Sequence, residues 1–103
     1  MSSYSLTASA QTDLYIIRDY YLEEAGYRIA RQMIVEFVAA FRTIARNPGI
    51  GHKRQDLAGN RPILFWPMRD YLILYRIAGA SLVIIMIARG SRDIARLIRR
   101  REP

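Results

Sequence analysis

The hydrophobic residues of this chain change their spacing once, near residue 48, and this change limits the folds that are available to it. Before it, apolar residues recur every three to four positions, as they do along one face of a helix. After it, they alternate or form short apolar runs, as they do in strands. Because 103 residues suffice for one domain and not for two, we expect a single α+β domain over residues 1–103.

The first half of the chain predicts two amphipathic helices that form an antiparallel hairpin. Their apolar stripes are Ala10, Leu14, Ile17 and Tyr21 in the first helix and Ala30, Ile34, Phe37, Phe41 and Ile44 in the second. Thr7 or Ser9 can cap the first helix, and Gly26 ends it. The sequence Asn47-Pro48-Gly49 ends the second helix, since proline cannot continue it. Each stripe is expected to pack in the core.

The second half predicts a sheet. Residues 4–7 alternate and add a short opening strand, and residues 48–60 form a loop punctuated by glycines. The expected strands after this loop lie around Ile63–Phe65, Leu72–Tyr75 and Leu82–Ala88. The last of them is apolar on both faces, which places it centrally. Ser91 can cap a basic final helix over 92–101. The order is βααβββα, with the hairpin on one face of an antiparallel sheet and a short C-terminal helix.

The charge of the chain is concentrated in its second half. The net charge is +7, and all but one of the 16 basic residues are arginines, the exception being Lys53. Residues 1–52 carry no net charge, so residues 53–103 carry all of it. Arginine suits the recognition of phosphate and carboxylate groups, so we expect an anionic partner, either a nucleic acid or an acidic protein segment.

Composition also excludes several classes of protein. The absence of cysteine excludes disulfides, thiolate metal sites and cysteine nucleophiles, and we expect no metal and no cofactor. The longest apolar run, residues 82–88, is far shorter than the roughly 20 residues that cross a membrane. The first residues lack the basic cluster and apolar core of a secretory signal, so a cytoplasmic location is expected.

The motifs along the chain, taken together, resemble the RelE/ParE toxin superfamily of bacterial type II toxin–antitoxin systems. The matching pieces are Leu6-Thr7 with Ala10 and Asp13-Leu14, the helix from Phe37 to Phe41 ending in Asn47-Pro48, Gly51-His52-x-Arg54-x-Asp56-Leu57, the strand Tyr71 to Arg76, and Ala88-Arg89-Gly90-Ser91-Arg92-Asp93. The resemblance covers about residues 4–98. It implies a small basic toxin of the plasmid-stabilisation type, held inactive in a hetero-oligomer by an acidic antitoxin that is encoded beside it.

The superfamily contains two activities, and the residues favour one of them. RelE-like members cleave mRNA on the ribosome without metal, and ParE-like members inhibit DNA gyrase. RNA cleavage needs groups that move protons, yet the chain has one histidine, one lysine and no tyrosine after Tyr75. Arginine cannot take this role, because it stays charged. The sequence therefore favours a ParE-like toxin without catalytic residues; the alternatives are a ribosome-dependent endonuclease and an inactive toxin-fold binding module.

Three sets of site residues follow. Contacts to the gyrase target are expected from Arg89, Arg92, Arg96 and Arg99. Contacts to the antitoxin are expected from Leu14, Ile17, Tyr21, Phe37, Phe41, Arg61 and Arg76. If the chain is an endonuclease instead, its site is expected to contain His52, Arg54, Arg61, Arg76 and Arg89.

Overall fold

A computed structural model describes residues 3–102 of the chain. The strands are β1 (Ser3–Leu6), β2 (Leu64–Met68), β3 (Tyr71–Ala78) and β4 (Ser81–Arg89). The helices are α1 (Ala8–Ala25), α2 (Tyr27–Arg46), α3 (Gln55–Ala58) and α4 (Ile94–Arg101), with a 3₁₀ turn over Pro48–Ile50. The predicted order and fold class are confirmed, but the loop of residues 48–60 is not wholly irregular, because it contains the 3₁₀ turn and α3.

The helical hairpin begins and turns where the sequence predicts. The Thr7 hydroxyl accepts a hydrogen bond from the backbone N–H of Ala10 at 3.1 Å and so caps α1. Gly26 separates the two helices with a φ of 89°, a conformation that side chains other than glycine rarely adopt. The chain can therefore reverse within one residue, and the two helices pack against each other.

The four strands form one sheet in the order β1-β4-β3-β2. β2, β3 and β4 form the predicted antiparallel meander, and β4 lies inside the sheet as expected. The prediction of a purely antiparallel sheet was wrong at one strand, because β1 pairs with β4 in parallel, with Ser3 opposite Ser81 and Leu6 opposite Ile84. An alternating pattern shows that a segment is a strand, but it does not show which strand lies beside it.

The sheet is covered on both faces. On one face lies the α1–α2 hairpin, whose core includes Phe37, Phe41 and Tyr75, all at most 1% exposed. On the other face lie α3 and α4, with Ile94 and Ile98 packed on the strands. The register of β3 and β4 shifts after Leu74, so that β4 holds one extra residue. Ile85 and Met86, adjacent in β4, both pack into this second core cluster.

The start of α4 differs from the prediction. The helix begins at Ile94, and its cap is Asp93, whose carboxylate accepts a hydrogen bond from the N–H of Arg96 at 3.2 Å. Ser91, the predicted cap, lies two residues earlier in an exposed turn. Both residue types cap helices, and the choice depends on where Ile94 and Ile98 meet the sheet. The helix therefore spans eight residues rather than ten.

Candidate partner-binding surfaces

The outer face of α4 is a row of exposed arginines. Ile94 and Ile98 point into the core, which directs Arg96, Arg99 and Arg100 outward. Residues at this spacing share one side of a helix. The outward arginines therefore form a single basic surface, which we call the α4 arginine face.

The C-terminal end of α4 is fixed by a partly buried ion pair. The Arg101 guanidinium donates two hydrogen bonds to the Asp13 carboxylate of α1, at 2.6 and 2.7 Å. It also donates to the carbonyl of Ile85, while the Asp13 carboxylate accepts the N–H of Ile87. The pKa of Arg101 is raised, because its charged form is hydrogen-bonded to Asp13. This pair joins the hairpin, β4 and α4 at one point, and the sequence did not predict it.

Arg89 lies between two aromatic rings at the end of β4. Its guanidinium carbon is 5.4 Å from the ring centre of Tyr20 and 5.2 Å from that of Tyr71. Both distances allow a cation–π attraction. Burial raises the pKa of Tyr71 to about 12, so its phenol is neutral at physiological pH. Arg92 lines the same groove, which has a volume of about 210 Å³.

Arg61 and Arg76 meet at the last residue of the chain that the structure describes. Arg76 forms an ion pair with the Glu102 carboxylate. Arg61 donates from Nε to the Glu102 carbonyl at 2.8 Å and from Nη1 to the Ala58 carbonyl at 3.3 Å. The two arginines line a cavity of about 400 Å³ beside β3. The structure thus brings together two residues that the sequence analysis assigned to the same set of antitoxin contacts.

His52 is held at the edge of the sheet, away from these arginines. Its backbone exchanges two hydrogen bonds of 2.8 Å with Phe65, and its ring stacks on Trp66 at 6.2 Å between centres. The preceding segment is fixed by the buried Tyr75, whose hydroxyl donates to the Pro48 carbonyl and accepts the N–H of Gly51. His52 therefore pairs with the edge of the sheet, within the segment that the sequence predicted as a loop.

The five residues of the endonuclease hypothesis do not form one site. Arg61 and Arg76 share a cavity, whereas Arg54 is hydrogen-bonded twice to the neighbouring Asp56. Arg89 lies in the groove against α1, and His52 contacts neither group in the hydrogen bonds and aromatic contacts of residues 3–102. A general acid and base must both reach the same phosphate, and this arrangement does not place them together.

The apolar residues that were expected to contact the antitoxin lie mostly in the core. Phe37 and Phe41 are at most 1% exposed and Ile17 is 7% exposed, while Leu14 and Tyr21 are half-buried. A bound segment cannot reach the buried three without opening the hairpin. The apolar side chains that the hairpin does expose are Tyr15, Ile16, Tyr20, Leu22, Tyr27, Ile29 and Val35. We call this set the hairpin apolar surface.

The sequence contained a signal for that surface. In α1, large apolar residues such as Tyr15, Ile16 and Tyr20 fall outside the predicted stripe of Ala10, Leu14, Ile17 and Tyr21. A helix that is apolar on more than its core face presents the excess to solvent or to a partner. The residues off the stripe, rather than those on it, identify the accessible apolar surface.

A family model that describes the ParE toxin of the type II toxin–antitoxin system parDE matches residues 4–94. The chain belongs to the ParE toxin family. It is therefore a toxin of a type II toxin–antitoxin system, as its motifs predicted. A search of curated proteins found no match to the sequence.

Two solved structures are similar to this toxin in fold. One is the chromosomal ParDE toxin–antitoxin system from Pseudomonas aeruginosa, with a TM-score of 0.73 and 21% identity over 86% of this chain and 96% of that one. The other is the toxin–antitoxin complex RelBE2 from Mycobacterium tuberculosis, with a TM-score of 0.58 and 23% identity over 88% of this chain and 93% of that one. Both show the same fold. Within residues 3–102, the toxin has no helix with the length and apolarity needed to cross a membrane.

Proposed function

We propose that this toxin inhibits DNA gyrase by protein–protein contact and that an acidic antitoxin, encoded beside it in a plasmid-stabilisation type of system, keeps it inactive in the cytoplasm. The observation that carries the gyrase part is the α4 arginine face. It is a charged surface on a short helix, exposed on the side opposite the hairpin. Inhibition of a second enzyme requires such a complementary surface and no proton transfer.

Arg92 and Arg89 extend this surface towards α1. Arg92 is exposed at the turn before α4, and Arg89 is half-buried between its two tyrosine rings. We expect the exposed arginines, Arg92, Arg96 and Arg99, to meet the target first. Arg89 is held in place by its contacts, so it can add a pre-positioned cation at the edge of the contact area.

The antitoxin is proposed to cover the hairpin apolar surface. The hairpin exposes seven large apolar side chains, and a binding partner can cover exposed apolar surface of this kind. The hairpin half of the chain is neutral, whereas the second half carries a charge of +7. An acidic antitoxin segment would therefore be attracted to the second half and packed against the first, in a toxin–antitoxin hetero-oligomer. The two solved relatives are both toxin–antitoxin systems, which supports a partner of this kind.

The gyrase proposal can be tested with two matched triple variants. Replacing Arg96, Arg99 and Arg100 by glutamine removes the α4 arginine face, and replacing Arg28, Arg31 and Arg42 by glutamine removes the same charge from exposed positions of α2. We expect the α4 variant to lose at least about tenfold in the inhibition of supercoiling by purified gyrase, because long-range charge governs the encounter of such surfaces. The α2 variant should retain inhibition.

Induction of the toxin in bacterial cells separates the proposal from its alternatives. Induction of the wild-type toxin should cause a DNA-damage response and leave translated mRNA uncut. Cuts in phase with codons on ribosome-bound mRNA, with supercoiling unaffected, would instead show a RelE-like endonuclease. Normal growth at confirmed expression of folded protein would identify an inactive binding module.

A further inference from the structure

The cavity beside β3 holds a positive charge that has no salt-bridge partner within residues 3–102. We call it the Glu102 cavity; its lining residues are Arg61, Pro62, Ile63, Arg76, Arg101 and Glu102. Arg101 is paired with Asp13, and Arg76 is paired with Glu102. Arg61 donates to backbone carbonyls alone, and no carboxylate within residues 3–102 forms a salt bridge with it. Among the described residues, the Arg61 guanidinium is therefore without a paired carboxylate.

The Glu102 side chain shows which chemistry the cavity accepts. Its carboxylate lies on the Arg76 guanidinium while its backbone carbonyl is held by Arg61. An arginine presents several N–H groups in one plane, a geometry that matches the two oxygens of a carboxylate. The internal occupant is thus an acidic side chain, carried by the residue that caps the C-terminal end of α4.

This contact is open enough to be exchanged. The Arg76 and Glu102 side chains are 37% and 28% exposed, and the cavity of about 400 Å³ has room for further groups. Ion pairs with this exposure contribute little to folding, so replacing one carboxylate by another costs the toxin little. By contrast, the Arg101–Asp13 pair is less exposed, and it is also hydrogen-bonded to the carbonyl of Ile85 and the N–H of Ile87 in β4. It can therefore hold α4 in place when Glu102 moves.

The basic lining continues beyond the Glu102 cavity. A neighbouring cavity shares Arg61, Pro62 and Ile63 and adds Lys53 and Arg54. Arg54 is neutralised by Asp56, whereas Lys53 forms no salt bridge within residues 3–102. The uncompensated charges of Arg61 and Lys53 thus lie along one path. This favours an extended acidic segment over a single small anion.

We propose that the Glu102 cavity binds an acidic side chain of the antitoxin and that Glu102 occupies this place in the free toxin, as an internal competitor. The inference rests on the proposed acidic antitoxin and adds the position of one of its carboxylates. Removing the competitor should strengthen binding, which a purely structural ion pair would not do.

The test uses the full-length toxin and a fluorescein-labelled peptide of eight glutamates, followed by fluorescence anisotropy at low ionic strength. Glu102→Gln should bind the peptide about three- to fivefold more tightly than the wild type, since the partly exposed Arg76–Glu102 ion pair no longer has to be replaced. The control Glu24→Gln makes the same charge change at an exposed position of α1 and should bind less tightly than Glu102→Gln. Arg61→Gln should weaken binding about three- to fivefold, whereas Arg46→Gln, at an exposed position of α2, should weaken it less.

Equal affinities for Glu102→Gln and Glu24→Gln, or for Arg61→Gln and Arg46→Gln, would overturn the inference, because the effect would then be one of net charge. Tighter binding of a labelled oligouridylate than of the peptide, lost in Arg61→Gln, would also overturn it in favour of a phosphate site. Circular dichroism confirms that each variant is folded. The peptide assay is independent of growth arrest, so a failure of the proposed toxin activity leaves its outcome readable, and the reverse also holds.

Discussion

The two faces of the sheet are covered by layers of very different construction. The hairpin layer consists of two long helices and buries large aromatic side chains such as Phe37 and Phe41. The α3–α4 layer consists of helices of four and eight residues and buries mainly aliphatic side chains, with Ile94 and Ile98 as the helical contribution. The C-terminal end of α4 is held by the ion pairs of Arg101 and Glu102.

The difference lies in the interactions that stabilise each layer of this toxin. Burial of apolar surface stabilises the hairpin layer at any ionic strength. The α4 layer depends in part on ion pairs, and its outer side presents the arginines that are proposed to bind the target. The surface that we propose to bind the target thus lies on the less deeply anchored layer.

The largest expected effect on stability comes from a substitution in the core of the hairpin layer. Phe37 is fully buried and its ring packs on Phe41 and Tyr71. Phe37→Ala should lower the free energy of unfolding by about 3–5 kcal/mol, because it removes apolar contacts and leaves a cavity. Denaturation by urea measures this change in the free energy of unfolding. Val35→Ala, at a 54% exposed position of the same helix, is the control and should change stability by less than about 0.5 kcal/mol.

A smaller loss of stability is expected when the ion pair that fixes α4 is removed. Arg101→Gln should cost about 1–3 kcal/mol, because the Asp13 carboxylate loses two charged hydrogen bonds in a partly buried place. Hydrogen exchange should become faster for the amides of α4 before those of the hairpin. Arg99→Gln, exposed on the same helix, is the matched control. Equal destabilisation by the two changes would show that this pair does not anchor the layer.

The smallest loss of stability is expected when an ion pair on the hairpin side of the sheet is removed. The Arg69 guanidinium donates two hydrogen bonds to Glu36, at 2.7 and 2.8 Å, and lowers the pKa of that carboxyl below its ordinary value of 4.5. A lowered pKa in the folded state means that the contribution is present above pH 4.5 and is lost as the pH falls through the folded value. The Arg69 and Glu36 side chains are 54% and 31% exposed, so Glu36→Gln should cost only about 0.2–1 kcal/mol at pH 7.

The contribution of the Arg69–Glu36 pair can be checked by urea denaturation at several pH values. The stability difference between the wild type and Glu36→Gln should shrink as the pH is lowered from 7 to 3. Glu23→Gln, an exposed position of α1, serves as control and should show no such convergence. A difference that stays constant with pH would mean that the Arg69 contact is not electrostatic in origin.

The sequence alone determined the elements of this toxin and several of their boundaries. Gly26 ends α1, Thr7 caps it, and the apolar run of residues 82–88 lies inside the sheet, because helix caps, glycine and hydrophobic periodicity act over a few neighbouring residues. The basic character of α4 and the family itself were also readable from the residues. These features require no knowledge of what lies across the fold.

The tertiary structure alone decided which residues meet. It placed β1 parallel to β4, chose Asp93 over Ser91 as the cap of α4, and buried Phe37 where a binding residue was expected. It also paired Arg101 with Asp13, 88 residues apart in the chain. Charge counts treat all arginines alike, whereas their roles depend on the distance to a carboxylate and on exposure to water, and both are set only when the helices pack on the sheet.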